Sequence, residues 1–255
     1  MINMEEINNV HGNSSRKCTL NYSVSCNDCR LGTLCFPLAL KSDELVKLDS
    51  IVQRGMPLQK SEHLFREKDR FSSIYAVRSG VIKTYRLTDD GREQITGLYL
   101  PGEIFGMDGI SLNAHSCSAL ALETSAVCEI PFASLEVLSQ KVQNLQRHFF
   151  QLMSREITEE QQLITLLSKN NAEERIAALM LSISSRNAQR KLSATQFRLP
   201  MSRIDIGNYL GLSVETVSRV LGRLQRLKVL FVENREITIL DIKALQNLAG
   251  VLVAE

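Results

Sequence analysis

Residues 201–228, MSRIDIGNYLGLSVETVSRVLGRLQRLK, constrain this chain most, because they have the apolar spacing of two short helices joined by a tight turn. Ser202 is placed to cap the first helix with Asp205 three residues on, Ile206 and Leu210 point inward, and Gly207 is small where the second helix must cross. Gly211 supplies the turn, a position often held at positive φ, and Ser213 follows as N-cap of the second helix. Val217, Val220, Leu221 and Leu224 then take the inner face. Glu215, Ser218, Arg219 and Arg223 fall at i, i+3, i+4 and i+8 on the outer one. A carboxylate accepts from cytosine N4, a guanidinium is bidentate to guanine, and a hydroxyl suits either kind of base edge. Glu215, Ser218 and Arg219 are therefore the expected base readers, with Arg203 and Arg223 as phosphate contacts. A solvated helical hairpin has the same charge pattern, but cap, turn glycine, small residue and apolar positions agree on a helix-turn-helix.

With 255 residues, 44% of them hydrophobic, the chain is long enough for about two domains with real cores. Residues 1–17 are polar, with no signal peptide, and no apolar run approaches membrane-spanning length, so the expected location is the cytoplasm and no membrane partner is expected. The formal charge is only +2, yet residues 170–228 hold ten Lys/Arg against four Asp/Glu. Local basicity of this kind is an electrostatic footprint for nucleic acid. His11, His63, His115 and His148 are scattered and no nucleophile sits in a recognisable motif, which argues against an enzyme.

Four of the six cysteines, Cys18, Cys26, Cys29 and Cys35, lie within eighteen residues. In a cytoplasmic chain such crowding points to metal more than to disulfides. Cys26, Cys29 and Cys35 can converge where Gly32 lets the loop fold back, and a fourth ligand is still needed. Spacing alone leaves structural zinc and an iron–sulfur cubane open. Cys117 and Cys128, further on, each fit the role of a small core residue.

Residues 58–131 contain short runs such as SIYAV and VIKTY between turn signals at Ser79-Gly80, Asp90-Gly91 and Pro101-Gly102, the pattern of a β-rich roll. Residues 134–168 then predict one long helix. Leu135, Leu138, Val142, Leu145, Phe149 and Leu152 form an apolar seam, and a shifted seam continues through Met153, Ile157, Ile164 and Leu167. Glu160 interrupts that second seam, as a solvated residue or as a weak point in a dimer interface. Residues 171–189 predict a further helix packed under the helix-turn-helix, with Glu173 and Glu174 where the dipole favours them. VLFVENREITIL alternates around a polar turn and predicts a β-hairpin, the wing of a winged helix.

The segments CNDCRLGTLC, EQITGLYLPGEIFGMDGI, ALETSAVCEIP and NYLGLSVETVSRVLGRLQ together resemble the Crp/Fnr bacterial transcription regulators, and within them the oxygen-responsive Fnr branch. The resemblance covers nearly the whole chain. It implies an oxygen-labile [4Fe-4S] cluster on Cys26, Cys29, Cys35 and Cys128, and it selects iron–sulfur over zinc. It also implies Glu215, Ser218 and Arg219 as base contacts on sites resembling TTGAT-N4-ATCAA, where the Crp version has an Arg in place of Val214. A homodimer formed when cluster-loaded, through Ile157, Glu160 and Ile164, is expected on palindromic double-stranded DNA, with RNA polymerase a partner by resemblance alone. A cyclic nucleotide is not expected, since residues 93–140 contain no Lys or Arg to meet its phosphate. A zinc-stabilised or small-molecule-gated regulator is the alternative. The expected architecture is α+β: a tail and cluster-binding loop over 1–40, a cyclic-nucleotide-binding-like β-roll sensor over 41–140, a dimerisation helix over 141–169, and a winged helix-turn-helix over 170–255.

Overall fold

The computed structural model describes residues 24–250, so Cys18 and the polar stretch before it lie outside the described residues. The chain enters through tight turns, with Gly32 N–H donating to the Cys29 carbonyl at 3.1 Å and Cys35 N–H to the Leu31 carbonyl at 3.0 Å. A 3-10 helix, Phe36–Ala39, follows, with Pro in its first turn where a missing N–H is harmless. Helix α1 (Ser42–Ile51) opens with Asp43 and Glu44 at its electropositive end, and the Glu44 carboxylate accepts the Lys41 N–H at 2.9 Å.

Two antiparallel four-stranded sheets form the roll. The strands are β1 (Gln53–Arg54), β2 (His63–Phe65), β3 (Ser73–Ser79), β4 (Ile82–Leu87), β5 (Glu93–Tyr99), β6 (Ile104–Phe105), β7 (Ser118–Ala121) and β8 (Ala126–Pro131). One sheet runs β1-β8-β3-β6 and the other β2-β7-β4-β5. Strand β3 is buried on both faces, which is why it reads as a continuous apolar run. Tyr75 and Val77 point between the sheets with Phe65, Ile82 and Phe105, whereas Ile74 and Ala76 point outward into a second core with Phe36, Leu48, Ile130 and Leu135.

The expected single helix over 134–168 is two. Helix α2 (Phe132–Lys141) ends at Val142, whose φ of −124° and ψ of 91° are extended, and α3 (Gln143–Lys169) starts afresh. The cause is packing. Leu135, Val142 and Leu145 are all buried in the outer core of the roll, and the break turns both helices onto it. The first seam is therefore consumed by the roll, while the second stays outward, with Ile157 53% and Ile164 64% exposed and Glu160 exposed between them.

Helix α4 (Ala172–Gln189) has a full capping box: the Asn171 side chain accepts the Glu173 and Glu174 N–H groups at 2.9 and 3.1 Å, and Glu174 accepts the Asn171 N–H at 3.0 Å. Strand β9 (Gln196–Arg198), helices α5 (Arg203–Leu210) and α6 (Val214–Arg226), the hairpin β10 (Leu230–Glu233) and β11 (Glu236–Ile239), and α7 (Ile242–Ala249) complete the chain. The hairpin is a three-stranded sheet in order β10-β11-β9, one strand more than the sequence pattern predicts. Ile176, Met180, Leu210, Val217, Leu224 and Leu245 make the core beneath α6, and that core is continuous with Val81, Ile95 and Leu98 of the roll. Among the described residues no helix is long and apolar enough to cross a membrane.

Candidate cysteine centre and nucleic-acid interface

Cys26, Cys29, Cys35 and Cys128 line one cavity, walled by apolar residues such as Leu31, Phe36, Val77 and Ile130. Three come from the entry turns and the fourth from β8, where Cys128 is the cross-strand partner of Ala76 on β3 and of Arg54 on β1. None of the five described cysteines is in a disulfide. Burial, and then the Asp49 carboxylate, pushes the Cys26 thiol up to about 12, and burial does the same for Cys35. Burial also raises Cys128, against the pull of Arg54 and Arg78. Cysteines bind metals as thiolates, so binding at this pocket would release their protons. An all-sulfur donor set on apolar walls fits an iron–sulfur cluster. Among the described residues no three His, Cys, Asp or Glu side chains group closely enough to hold one metal ion.

Cys117 is placed differently. It is buried near the roll interior, where its thiol donates to Asp108 at 3.4 Å, and burial drives its pKa well above the usual thiol range. The same carboxylate accepts from Ser116 and pairs with His115, so the cluster of Asp108, His115 and Cys117 is a packing knot. His148 is likewise buried, edge-on to Phe36, and His63 meets the Tyr85 hydroxyl at 2.8 Å.

The second site is the outer face of α6. Ser202 Oγ accepts the Asp205 N–H at 3.1 Å, and Gly211 turns the chain at φ 64°. Ser213 caps α6 through the Thr216 N–H at 3.2 Å. A Cβ on Gly207 would lie 2.5 Å from the Leu212 carbonyl, so what requires glycine here is the turn backbone and not the crossing helix. Val217, Val220, Leu221 and Leu224 are buried, and Glu215, Arg219 and Arg223 are exposed beside half-buried Ser218. Its own backbone N–H and the Ser213 hydroxyl lower the Glu215 pKa, so the group is an ionised acceptor at neutral pH. Arg203 reaches across from α5 to the Ser218 hydroxyl at 3.4 Å. Arg223 pairs with Glu173 of α4 at 3.5 Å, an exposed contact worth about 0–1 kcal/mol, which orients the guanidinium without committing it.

Contacts that no sequence pattern announces join the two sites. Lys83 of β4, buried, pairs with Glu93 and with Asp205 of α5, the latter at 3.0 Å. Glu103, in the turn before β6, pairs with Arg186 of α4 and with Arg190 just beyond it, the latter at 2.6 Å. Its neighbour Gly102, at φ 92°, faces Leu34 of the cysteine turns, where an added Cβ would stand 2.9 Å from the leucine Cβ. The turn 101–103 thus touches the cysteine loop on one side and the domain carrying α6 on the other.

Residues 56–141 match the family described as cyclic nucleotide-binding domain, and residues 174–248 the Crp-like helix-turn-helix domain. Transcriptional activator protein Anr of Pseudomonas protegens is 52% identical over 225 residues, spanning 88% of this chain and 92% of that one. The fumarate and nitrate reduction regulatory protein of Escherichia coli K12 is 50% identical over 228 residues, spanning 89% and 91%. Among solved structures, FixK2 from Bradyrhizobium japonicum superposes with a TM-score of 0.73 at 31% identity, covering 80% of this chain and all of that one. The first two are transcription regulators and not enzymes, and FixK2 shares the fold found here. The chain belongs to the Crp/Fnr family of transcription regulators.

Proposed function

We propose that this regulator responds to oxygen through a [4Fe-4S] cluster held by Cys26, Cys29, Cys35 and Cys128, and binds TTGAT-N4-ATCAA-like sites as a homodimer when the cluster is present, activating or repressing genes of anaerobic metabolism. The observation that carries this is the meeting of four thiols, three from residues 26–35 and one from β8, in one apolar-walled cavity. The names of the relatives, a fumarate and nitrate reduction regulator among them, support it. When bound, the cluster supplies redox chemistry that oxygen disrupts.

The chain's own residues give that site a route to the outer face of α3. Cys35 is followed by Phe36, which is buried, stacks on Phe149 at 6.3 Å and meets His148 at 6.2 Å, both on α3. Holding Cys35 therefore holds the helix that presents Ile157, Glu160 and Ile164. If two copies of α3 pair in parallel, their Glu160 carboxylates face each other. At roughly 6 Å and an effective dielectric near 20 the repulsion is about 3 kcal/mol, enough to weaken a dimer on the order of a hundredfold. Apolar contact along the seam must outweigh it, and it does so only when α3 is correctly set. A dimer then presents two α6 helices to the half-sites of a palindrome. Glu215, Ser218 and Arg219 read base edges, while Arg203 and Arg223 bind phosphates. RNA polymerase is the partner that an activator requires.

The space between the sheets supports a regulator whose effector is not a cyclic nucleotide, because aromatic rings fill it. Phe65 stacks on Tyr75 at 5.7 Å and Tyr99 on Phe105 at 5.0 Å, with the Tyr75 and Phe105 rings tilted together at 5.6 Å. The test is anaerobic purification followed by iron, zinc and acid-labile sulfide analysis, with absorption spectra and DNA binding before and after air. Iron and sulfide in equal amounts, with a visible absorbance and DNA binding that air abolishes, is the expected result. Zinc without sulfide, or DNA binding indifferent to air, overturns the reading.

A further inference from the structure

We propose that Arg54, anchored by Asp49, is the counter-cation and positioning residue of the cysteine centre: it orients Cys26 and compensates the charge of the assembled thiolates. The inference rests on the iron–sulfur reading above and assigns a role to residues outside the cysteine motif.

Arg54 ends β1, directly across from Cys128 in the strand register. Its Nη2 donates to the Cys26 sulfur at 3.3 Å, so one guanidinium reaches two of the four thiols, one from the entry turns and one from the roll. Asp49, near the end of α1, holds this arrangement from behind. Its carboxylate accepts from Arg54 Nη2 and from the Cys26 backbone N–H at 2.7 Å, fixing both the cation and the main chain of the ligand it serves. The Arg54 side chain is only 13% exposed, and its Nε–H is buried without a partner among the described residues. A buried guanidinium with a spare donor is costly unless an anion completes it. Four thiolates around a cubane core carry more negative charge than the core neutralises, and the cavity walls beside them are apolar. Hydrogen bonds to the sulfurs and local net charge are what set the redox properties of such centres. Arg54 supplies the hydrogen bond to Cys26 and a positive charge that Asp49 partly offsets, with Arg78 lining the same cavity. Without it the four cysteines would hold a cluster less tightly, and a bound cluster would be lost faster in air.

The experiment compares the full-length parent with Arg54→Lys, Arg54→Gln and Arg54→Met, each reconstituted anaerobically with iron and sulfide. Cluster content is measured first, and then the rate at which visible absorbance decays on adding air-saturated buffer. Arg54→Met is expected to lose on the order of 10- to 100-fold in cluster affinity or air lifetime, the range for partners that hydrogen-bond metal ligands. Arg54→Gln, which keeps a donor but no charge, should fall close to it, and Arg54→Lys should recover most of the loss. Should Arg54→Met fail to fold by circular dichroism, the Lys and Gln variants decide, since Lys must outlast Gln. Equal content and decay in parent and Met variant, or Lys no better than Gln, overturns the role of Arg54. A parent that takes up neither iron nor sulfide overturns it together with the cluster reading, and is distinguishable because all four proteins then behave alike.

Discussion

The contact between Glu103 and the α4 arginines should carry much of the attachment between the roll and the DNA-reading domain. The carboxylate is 27% exposed and meets Arg186, 21% exposed, and Arg190, 4% exposed. Each charge-assisted bond contributes about 1.5–3 kcal/mol. Arg186 keeps the Leu98 carbonyl and Arg190 keeps the Pro101 and Arg186 carbonyls when the carboxylate is removed, so the loss falls near the low end of the sum. We therefore expect Glu103→Ala to destabilise by about 3 kcal/mol, a fall in Tm of roughly 6–12 °C for a protein of this size. Part of that is local, because the same carboxylate accepts the Leu100 N–H at 2.9 Å. A double-mutant cycle with Arg190→Ala removes the local part. Thermal unfolding of parent, both single variants and the double variant should give a coupling energy above about 1 kcal/mol. Coupling below about 0.5 kcal/mol would show that the ion pair contributes nothing beyond packing, and the argument fails.

The pH dependence has a definite sign. Burial alone would raise the Glu103 pKa, but the Arg186 and Arg190 guanidinium groups bring it below the usual carboxylate value. A depressed folded pKa means that the stabilisation is fully present above the unfolded value, about 4.3, and is lost as pH falls below it. The gap in Tm between parent and Glu103→Ala should therefore be constant near neutrality and close in acid.

Cys128→Ala should abolish anaerobic iron and sulfide retention, whereas Cys117→Ala, whose thiol is tied to Asp108 away from the cavity, should keep both; metal analysis decides. Glu215→Ala and Arg219→Ala should each cost about 1–3 kcal/mol at one base pair of the site, while Arg203→Ala weakens binding uniformly, as binding-site selection would reveal. Glu160→Ala should sediment as a dimer in air without a cluster and the parent as a monomer, and an unchanged sedimentation coefficient would remove this carboxylate from the switch.

What the sequence made legible was local. Ser202, Gly211 and Ser213 act within four residues of themselves, so the helix-turn-helix could be read before any tertiary contact was known. Glu173 and Glu174, where the dipole favours carboxylates, marked the start of α4 in the same way, whereas the cap made by Asn171 is seen only in the structure. Val142 could not be read, because its apolar spacing from Leu138 and Leu145 is that of an unbroken helix. Its extended backbone is imposed by a core that also contains Phe36, Ile74 and Ile130, residues far away in the chain. Strand β9 has three residues, too few for an alternation to register, and exists because β11 offers Phe197 a partner in Ile237.

The same distinction separates the parts of the candidate site. The spacing of Cys26, Cys29 and Cys35 and the outer face of α6 are patterns over a few residues and could be read in the chain, whereas Cys128 stands far from the other three and entered only through the family resemblance. The groups that complete the cysteine site or join the roll to the helices carrying α6 are lone charges whose partners stand far off: Arg54 is twenty-eight residues from Cys26, Arg186 eighty-three from Glu103, and Asp205 one hundred and twenty-two from Lys83. Nothing in the chain around Glu103 or Lys83 distinguishes them from solvated surface charges. Their meaning comes from the roll closing on one side and α4 and α5 docking on the other. A roll joined to a helix-turn-helix domain through such pairs has its local motifs written in the sequence, and the contacts between them written only in the fold.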